Sequence, residues 1–292
     1  MKNLLYKFAF ITLLGMCNFV QAQYTDVINS NRPGASQSAF SVGTNVLQLE
    51  VGPYFIKEKR PVFPSYEVSG LGIDFAAHYG FWKEALELNI QGTFQNDTQT
   101  FSSLTNVENK RSNFKSLNFG AKYLVYDPHK NKDDQPNVYS YHANRGFKWS
   151  SLIPAVSVAA GVNYDTPDNP YTAAAVEGLS YRGVLITQNN FSGGWVFITN
   201  FMLDRIGSDQ TDFQYILTLT HSFDPKWVVF GETQGISSDF YADNLFRIGG
   251  GYLLSKDLQL DTALTLNTKD TPSVMRISFG ASYRFDRHKD KE

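Results

Sequence analysis

Cysteine is all but missing from this sequence. The single one, Cys17, stands inside an N-terminal stretch that reads as a cleavable leader. Lys2 and Lys7 form its charged start, residues 8–16 its apolar middle, and Val20-Gln21-Ala22 a small-residue cleavage site before Gln23. A lipid anchor at Cys17 is disfavoured, because Met16 is too bulky for the small residue such signals place before their cysteine. The mature chain then has no thiol, which excludes a disulfide-stapled domain, a cysteine-ligated metal and thiol chemistry. Long apolar runs are absent too. No stretch reaches the roughly 18 residues that a spanning helix needs. Basic charge is not in excess. Of the 26 basic residues Lys2 and Lys7 leave with the leader, so the net charge falls from -2 to -4, and no basic patch invites nucleic acid. The five histidines make no HxxxH or HExxH spacing, and there is no GxSxG elbow or P-loop. No metal, cofactor or catalytic residue is therefore expected, and an enzyme is not the reading.

Aromatics are abundant, at 15% of the chain, yet mean hydropathy is only -0.29. Alternation reconciles the two. In residues 276–285, Ile277, Phe279, Ala281, Tyr283 and Phe285 share one parity, and Arg276, Ser278, Gly280, Ser282 and Arg284 the other. The same period runs through 257–267, 86–94 and 213–223. Twelve such segments are predicted, near 45–56, 67–79, 82–95, 114–126, 150–163, 179–189, 194–204, 212–223, 226–235, 240–254, 257–268 and 273–285. The sixth, ninth and tenth alternate less cleanly. Segments of ten or more residues exceed the usual five to six or so of globular strands. They suit a wall with lipid on one side. The expected fold is all-β: a 12-stranded antiparallel transmembrane β-barrel of the outer-membrane type. It would occupy 45–285, after a leader at 1–22 and a periplasmic segment at 23–44, with a tail at 286–292. The expected location is the outer membrane of a Gram-negative bacterium.

Short links at 80–81, 190–194, 224–225 and 255–256 alternate with longer ones at 57–66, 96–113 and 164–178. Short turns belong to the periplasmic rim. Trp82, Trp149, Trp195 and Trp227 stand at strand starts on that rim and are candidates for an aromatic girdle. The polar parity places Glu50, Asp74, Glu87, Lys122, Asp261, Arg276 and Arg284 toward the lumen, with Glu232 and Arg247. Ile277, Phe279, Tyr283 and Phe285 would face lipid on a closing strand that pairs with the first. Mixed charges can line a pore or pair across it and fill it. The link at 127–148 holds a charge run and is a candidate contact for a periplasmic partner.

Asn31-Arg32-Pro33-Gly34, followed by Gly43-Thr44-Asn45-Val46-Leu47-Gln48-Leu49-Glu50-Val51-Gly52, resembles the opening of the phenol meta-cleavage-pathway transporter family, which includes the FapF-like barrels. That opening usually has Asp where Asn31 stands. Residues 151–155 and 249–252 are also similar. The resemblance implies a 12-stranded outer-membrane barrel that carries small, hydrophobic or aromatic solutes, with an export or anchoring role as the alternative. It also favours a segment around Arg32 tucked into the barrel mouth, with Arg32 on lumen carboxylates. Ser278, Gly280, Tyr283 and Phe285 are similar to the signal read by the barrel-insertion machinery, although the seven residues after Phe285 depart from it. A lipid hydrolase of the same strand number would need a Ser–His–Asn set on the outer wall. His221 is the one candidate histidine, and it lacks a matching serine.

Overall fold

A computed structural model describes residues 27–102, 107–128, 149–173 and 176–287. The leader, most of the 127–148 link and the end of the tail lie outside the described residues. Twelve strands follow in order: β1 Val46–Arg60, β2 Tyr66–Gly80, β3 Leu86–Phe101, β4 Val107–Tyr126, β5 Ala155–Asp165, β6 Gly178–Phe191, β7 Trp195–Ile206, β8 Asp212–Asp224, β9 Trp227–Ser237, β10 Asp243–Ser255, β11 Leu258–Asn267 and β12 Ser273–Asp286. Each pairs with its sequence neighbour, and β1 pairs antiparallel with β12 from Val46↔Asp286 to Lys59↔Ser273. The ring is closed. Closure leaves no strand edge unpaired, which is the condition for placing backbone in lipid.

The alternation works as an inside-out protein. On β1, Leu49, Val51 and Phe55 are exposed on the outer face, while Gln48, Glu50 and Tyr54 are buried within the ring. Buried polar side chains outnumber buried apolar ones, and most large apolar residues of the strands are exposed. In water that pattern would be unstable; against hydrocarbon the outer face loses nothing.

Several segments differ from the sequence expectation. The predicted link 96–113 is mostly strand, because β3 runs on to Phe101 and β4 starts at Val107. At about 3.3 Å per residue these two hairpin arms far exceed an apolar band of roughly 25 Å. Beyond that band no lipid selects an apolar face, and the inward Asp97 is buried among polar partners, so residues 96–99 carry no hydrophobic alternation to read. β5 begins at Ala155 rather than 150, since Trp149–Leu152 forms a 3-10 turn. Trp82 lies in the β2–β3 turn with φ 61° and not at a strand start. Links β2–β3, β4–β5, β6–β7, β8–β9 and β10–β11 share one rim with residue 46 and residue 286; this is the near rim. The other links form the far rim.

Candidate functional site: the barrel interior

Residues 27–45 run inside the ring. The segment starts at the near rim, where the Ile28 amide donates to the Lys256 carbonyl. It rises along the β1–β12 seam, and the Ser30 hydroxyl meets Glu50 Oε1 at 3.1 Å and Ser282 Oγ at 2.7 Å. It then circles the inner wall. The Ala35 amide donates to Glu232, Gln37 exchanges two bonds with Asn200, and Ser38 donates to Gln188 Oε1. The Ser157 hydroxyl donates to the Ala39 carbonyl, and the Val42 amide to Glu87 Oε2. The segment leaves where the Asn45 amide meets the Gly80 carbonyl. A chain without regular structure must satisfy its backbone elsewhere, and here wall side chains do so.

Arg32 anchors the turn of this path. Its guanidinium donates to both oxygens of Asp261, at 3.3 and 3.1 Å, and Asp74 lies 3.7 Å away. The group lies flat on Gly52 and Gly280. A Cβ at Gly52 would come 2.1 Å from Arg32 Cζ, and one at Gly280 2.4 Å from Arg32 Nε. Only glycine lets the fork approach both strands there.

The sequence-selected acids and bases occupy this interior. Glu87, buried at 1% exposure, bonds His78 Nδ1 at 2.9 Å and lies 3.2 Å from Lys122 Nζ. Lys122 also donates to the Ser38 and Phe40 carbonyls. Glu50 lies 3.9 Å from His78 Nε2. Glu232 takes Arg247 Nη1 at 2.6 Å and the Thr218 hydroxyl at 2.8 Å. Arg276 bonds Asp74 and covers the Tyr54 ring at 3.6 Å, and Arg284 reaches Asp286. On β12, Ile277, Phe279, Tyr283 and Phe285 are exposed on the outer face.

Two lumen cations were not legible from parity. Lys115 shares its count with the outer Leu117 and Phe119, and Arg205 with the outer Phe201 and Leu203. Register shifts correct both. β4 carries an extra residue opposite Thr93–Phe94, and β7 carries one opposite Tyr181–Gly183. A bulge re-aims the side chain beside it. Arg205, at φ 50°, turns inward to Asp165 at 3.0 Å and toward Asp212 at 3.8 Å. The sequence signal was available in the cost of the alternative: a cation on the lipid face is destabilising by roughly 2–4 kcal/mol at mid-membrane. A charge on the apolar parity is therefore a sign of a bulge.

The far half of the interior holds ion pairs between side chains. Arg111 meets Asp97 at 2.7 Å and Arg182 meets Asp204 at 3.8 Å. The β5–β6 link lies across this mouth. Its Asn169 donates to the Phe114 carbonyl, and its Tyr171 hydroxyl donates to Asp97 Oδ2 at 3.0 Å. Burial, then the Asp97 charge, push the Tyr171 phenol above its ordinary range, so it stays a donor.

The near half has an apolar arc. Leu124, Val184, Ile186, Met202 and Ile216 pack with Ala39 and Phe40 of the inner segment. In the same half, a cavity of about 280 Å³ opens between the segment and the wall, lined by Ile28, Val228 and Phe230 and by polar groups that include Arg32, Asp224 and Gln259. Outside the ring, Trp82, Trp149, Trp195 and Trp227 are exposed at the near rim. His221 also faces outward, stacked on Trp195 at 4.1 Å.

Solved structures share this architecture. The COG4313 outer membrane channel from Pseudomonas putida F1 aligns with a TM-score of 0.55 at 10% identity, over 88% of this chain and 100% of that one. The P. putida toluene transporter TodX gives 0.47 at 11% identity, over 83% and 90%. The translocator domain of the autotransporter NalP from Neisseria meningitidis gives 0.48 at 10%, over 83% and 89%. At such identities the likeness is one of fold. No curated protein matches the sequence. Residues 30–285, which span nearly all of the inner segment and the whole ring but its last residue, match the family described as "Putative MetA-pathway of phenol degradation", and the chain belongs to that family.

Proposed function

We propose that the chain is an outer-membrane channel for small solutes, with residues 27–45 as a constriction built into its own lumen. The observation that carries this reading is the closed ring with an apolar outer face and a polar interior that the inner segment lines. The near rim is the periplasmic one, where both ends of the barrel and the four tryptophans lie. The leader 1–22 directs export, and the closing strand is read by the insertion machinery. Glu50, Asp74, Glu87, Lys122, Glu232, Arg247, Asp261, Arg276 and Arg284 line the lumen. Glu50, Asp74, Glu87, Lys122, Glu232 and Asp261 hold the segment, and the nine together set the field there rather than perform chemistry, so passage needs no cofactor.

Small hydrophobic or aromatic solutes are the favoured cargo. The near cavity supports this. Its volume exceeds the roughly 150 Å³ apolar cavity that accepts a benzene ring, and its mixed lining includes an apolar group of Ile28, Val196, Ile198, Val228 and Phe230 among polar side chains. The family description, phenol degradation, agrees with such a cargo.

Purified full-length chain in planar bilayers tests the reading. Discrete conductance steps are expected, and liposomes carrying the protein should swell in single-ring solutes faster than lipid alone. A current indistinguishable from bare lipid, with and without residues 27–40, would overturn it.

A further inference from the structure

We propose that the far half of the lumen holds an anion-binding site centred on Lys115, which takes the carboxylate of a small, singly charged organic anion. This deepens the channel reading and rests on it.

The placement of Lys115 is the first argument. The β4 bulge puts Lys115 and Ser116 together opposite Thr93, a residue of the inward parity. The Lys115 carbonyl accepts from Arg205 Nη2 at 3.5 Å, so the two bulged positions meet. The group is enclosed by protein, with Arg276 on β12, Glu58 on β1, Asp74 on β2 and Asp97 on β3 within electrostatic reach. Only a side chain projecting into the ring can face those four strands at once. The surrounding wall strips part of its hydration, yet Lys115 keeps solvent-exposed surface, so it stands in the barrel interior within reach of water.

The second argument is its lack of a partner. Arg111, Arg182, Arg205 and Arg276 each have an aspartate close by. Lys115 has no carboxylate within the 4.0 Å of an ion pair among the described residues. A paired arginine presents little net charge to a passing solute, whereas an ammonium with no ion-pair partner is open to one. Glu58 nearby has the Tyr66 hydroxyl and no ion-pair partner among the described residues, so it repels a second negative charge and limits the ligand to a monoanion. Arg60, at the far-rim end of β1, has a buried Nε with no hydrogen-bond partner among the described residues. It extends the cationic path toward the rim. Lysine suits a transit site, because its ammonium is a compact, strongly hydrated charge that grips one oxygen and releases it.

The test uses sodium benzoate as the probe and the full chain in detergent, with saturation-transfer NMR as the readout. Wild type and Lys115→Arg should bind benzoate. Lys115→Gln should bind at least severalfold more weakly. Lys57→Gln removes a charge from the exposed outer parity of β1 and should match wild type. In bilayers under a KCl gradient, Lys115→Gln should shift the reversal potential toward cation preference, and Lys115→Arg should not. Benzoate binding by wild type without any conductance would support the site and sink the channel reading. Conductance with benzoate binding and reversal potential unchanged in Lys115→Gln, or with no benzoate binding by wild type, would overturn the site.

Discussion

The two halves of the barrel interior solve the same problem in different ways. In the near half, buried carboxylates are held by the amides of a borrowed stretch of chain: Glu87 by Val42, Glu50 by Asn31, Glu232 by Ala35 and Ser36. In the far half, carboxylates are held by arginines from the wall, and one lysine is left over. The amides share this task with Lys122 and Arg247, and the segment fills the near half except for the cavity beside it. Arginine pairs need no borrowed chain. The difference implies a constriction at the near side and a charged vestibule at the far side.

The largest expected effect comes from removing the near-half filling. Deleting residues 27–40 should raise single-channel conductance many-fold, measured in planar bilayers against wild type. Next, Glu87→Ala strips the partner from Lys122 and His78 in the near half. Breaking a buried pair from one side costs about 3–5 kcal/mol, and the loss should appear as earlier urea unfolding, followed by heat-modifiable gel mobility. Smaller is Gly280→Val, which drives a side chain into the Arg32 fork. Loss of charge-assisted bonds there costs about 1.5–3 kcal/mol, and conductance should rise part of the way toward the deletion. Smallest is Arg111→Ala in the far half. Asp97 is buried, but the Gln95 amide and the Tyr171 hydroxyl still hold it, so only the lost charge-assisted bond counts, about 1.5 kcal/mol. Equal losses for Glu87→Ala and Arg111→Ala would erase the contrast between the halves.

The strand count, the closed ring and the pairing of residues 276–285 with β1 were legible because lipid imposes period 2. Where lipid ends, legibility ends: the outer arms of β3 and β4 are polar on both faces and read as loop. Period 2 is also blind to insertions. The parity of Glu87 and Lys122 can be counted along regular strands, but a single extra residue in β4 hides Lys115, and one in β7 hides Arg205. The fit of Arg32 between Gly52 and Gly280 was out of reach for another reason. It depends on two strands that meet only at the closure, more than two hundred residues apart in sequence. The predicted contact at 127–148 falls largely on residues outside those described.

The inner segment enters beside Lys256 and returns beside Gly80, at the same rim. In topological terms it is a slack loop and not a thread. Its attached end is the start of β1, and its described start is held to the wall by the Ile28–Lys256 backbone bond. Residues 27–45 can be drawn out of the lumen, or fed into a finished barrel, without cutting a strand pair.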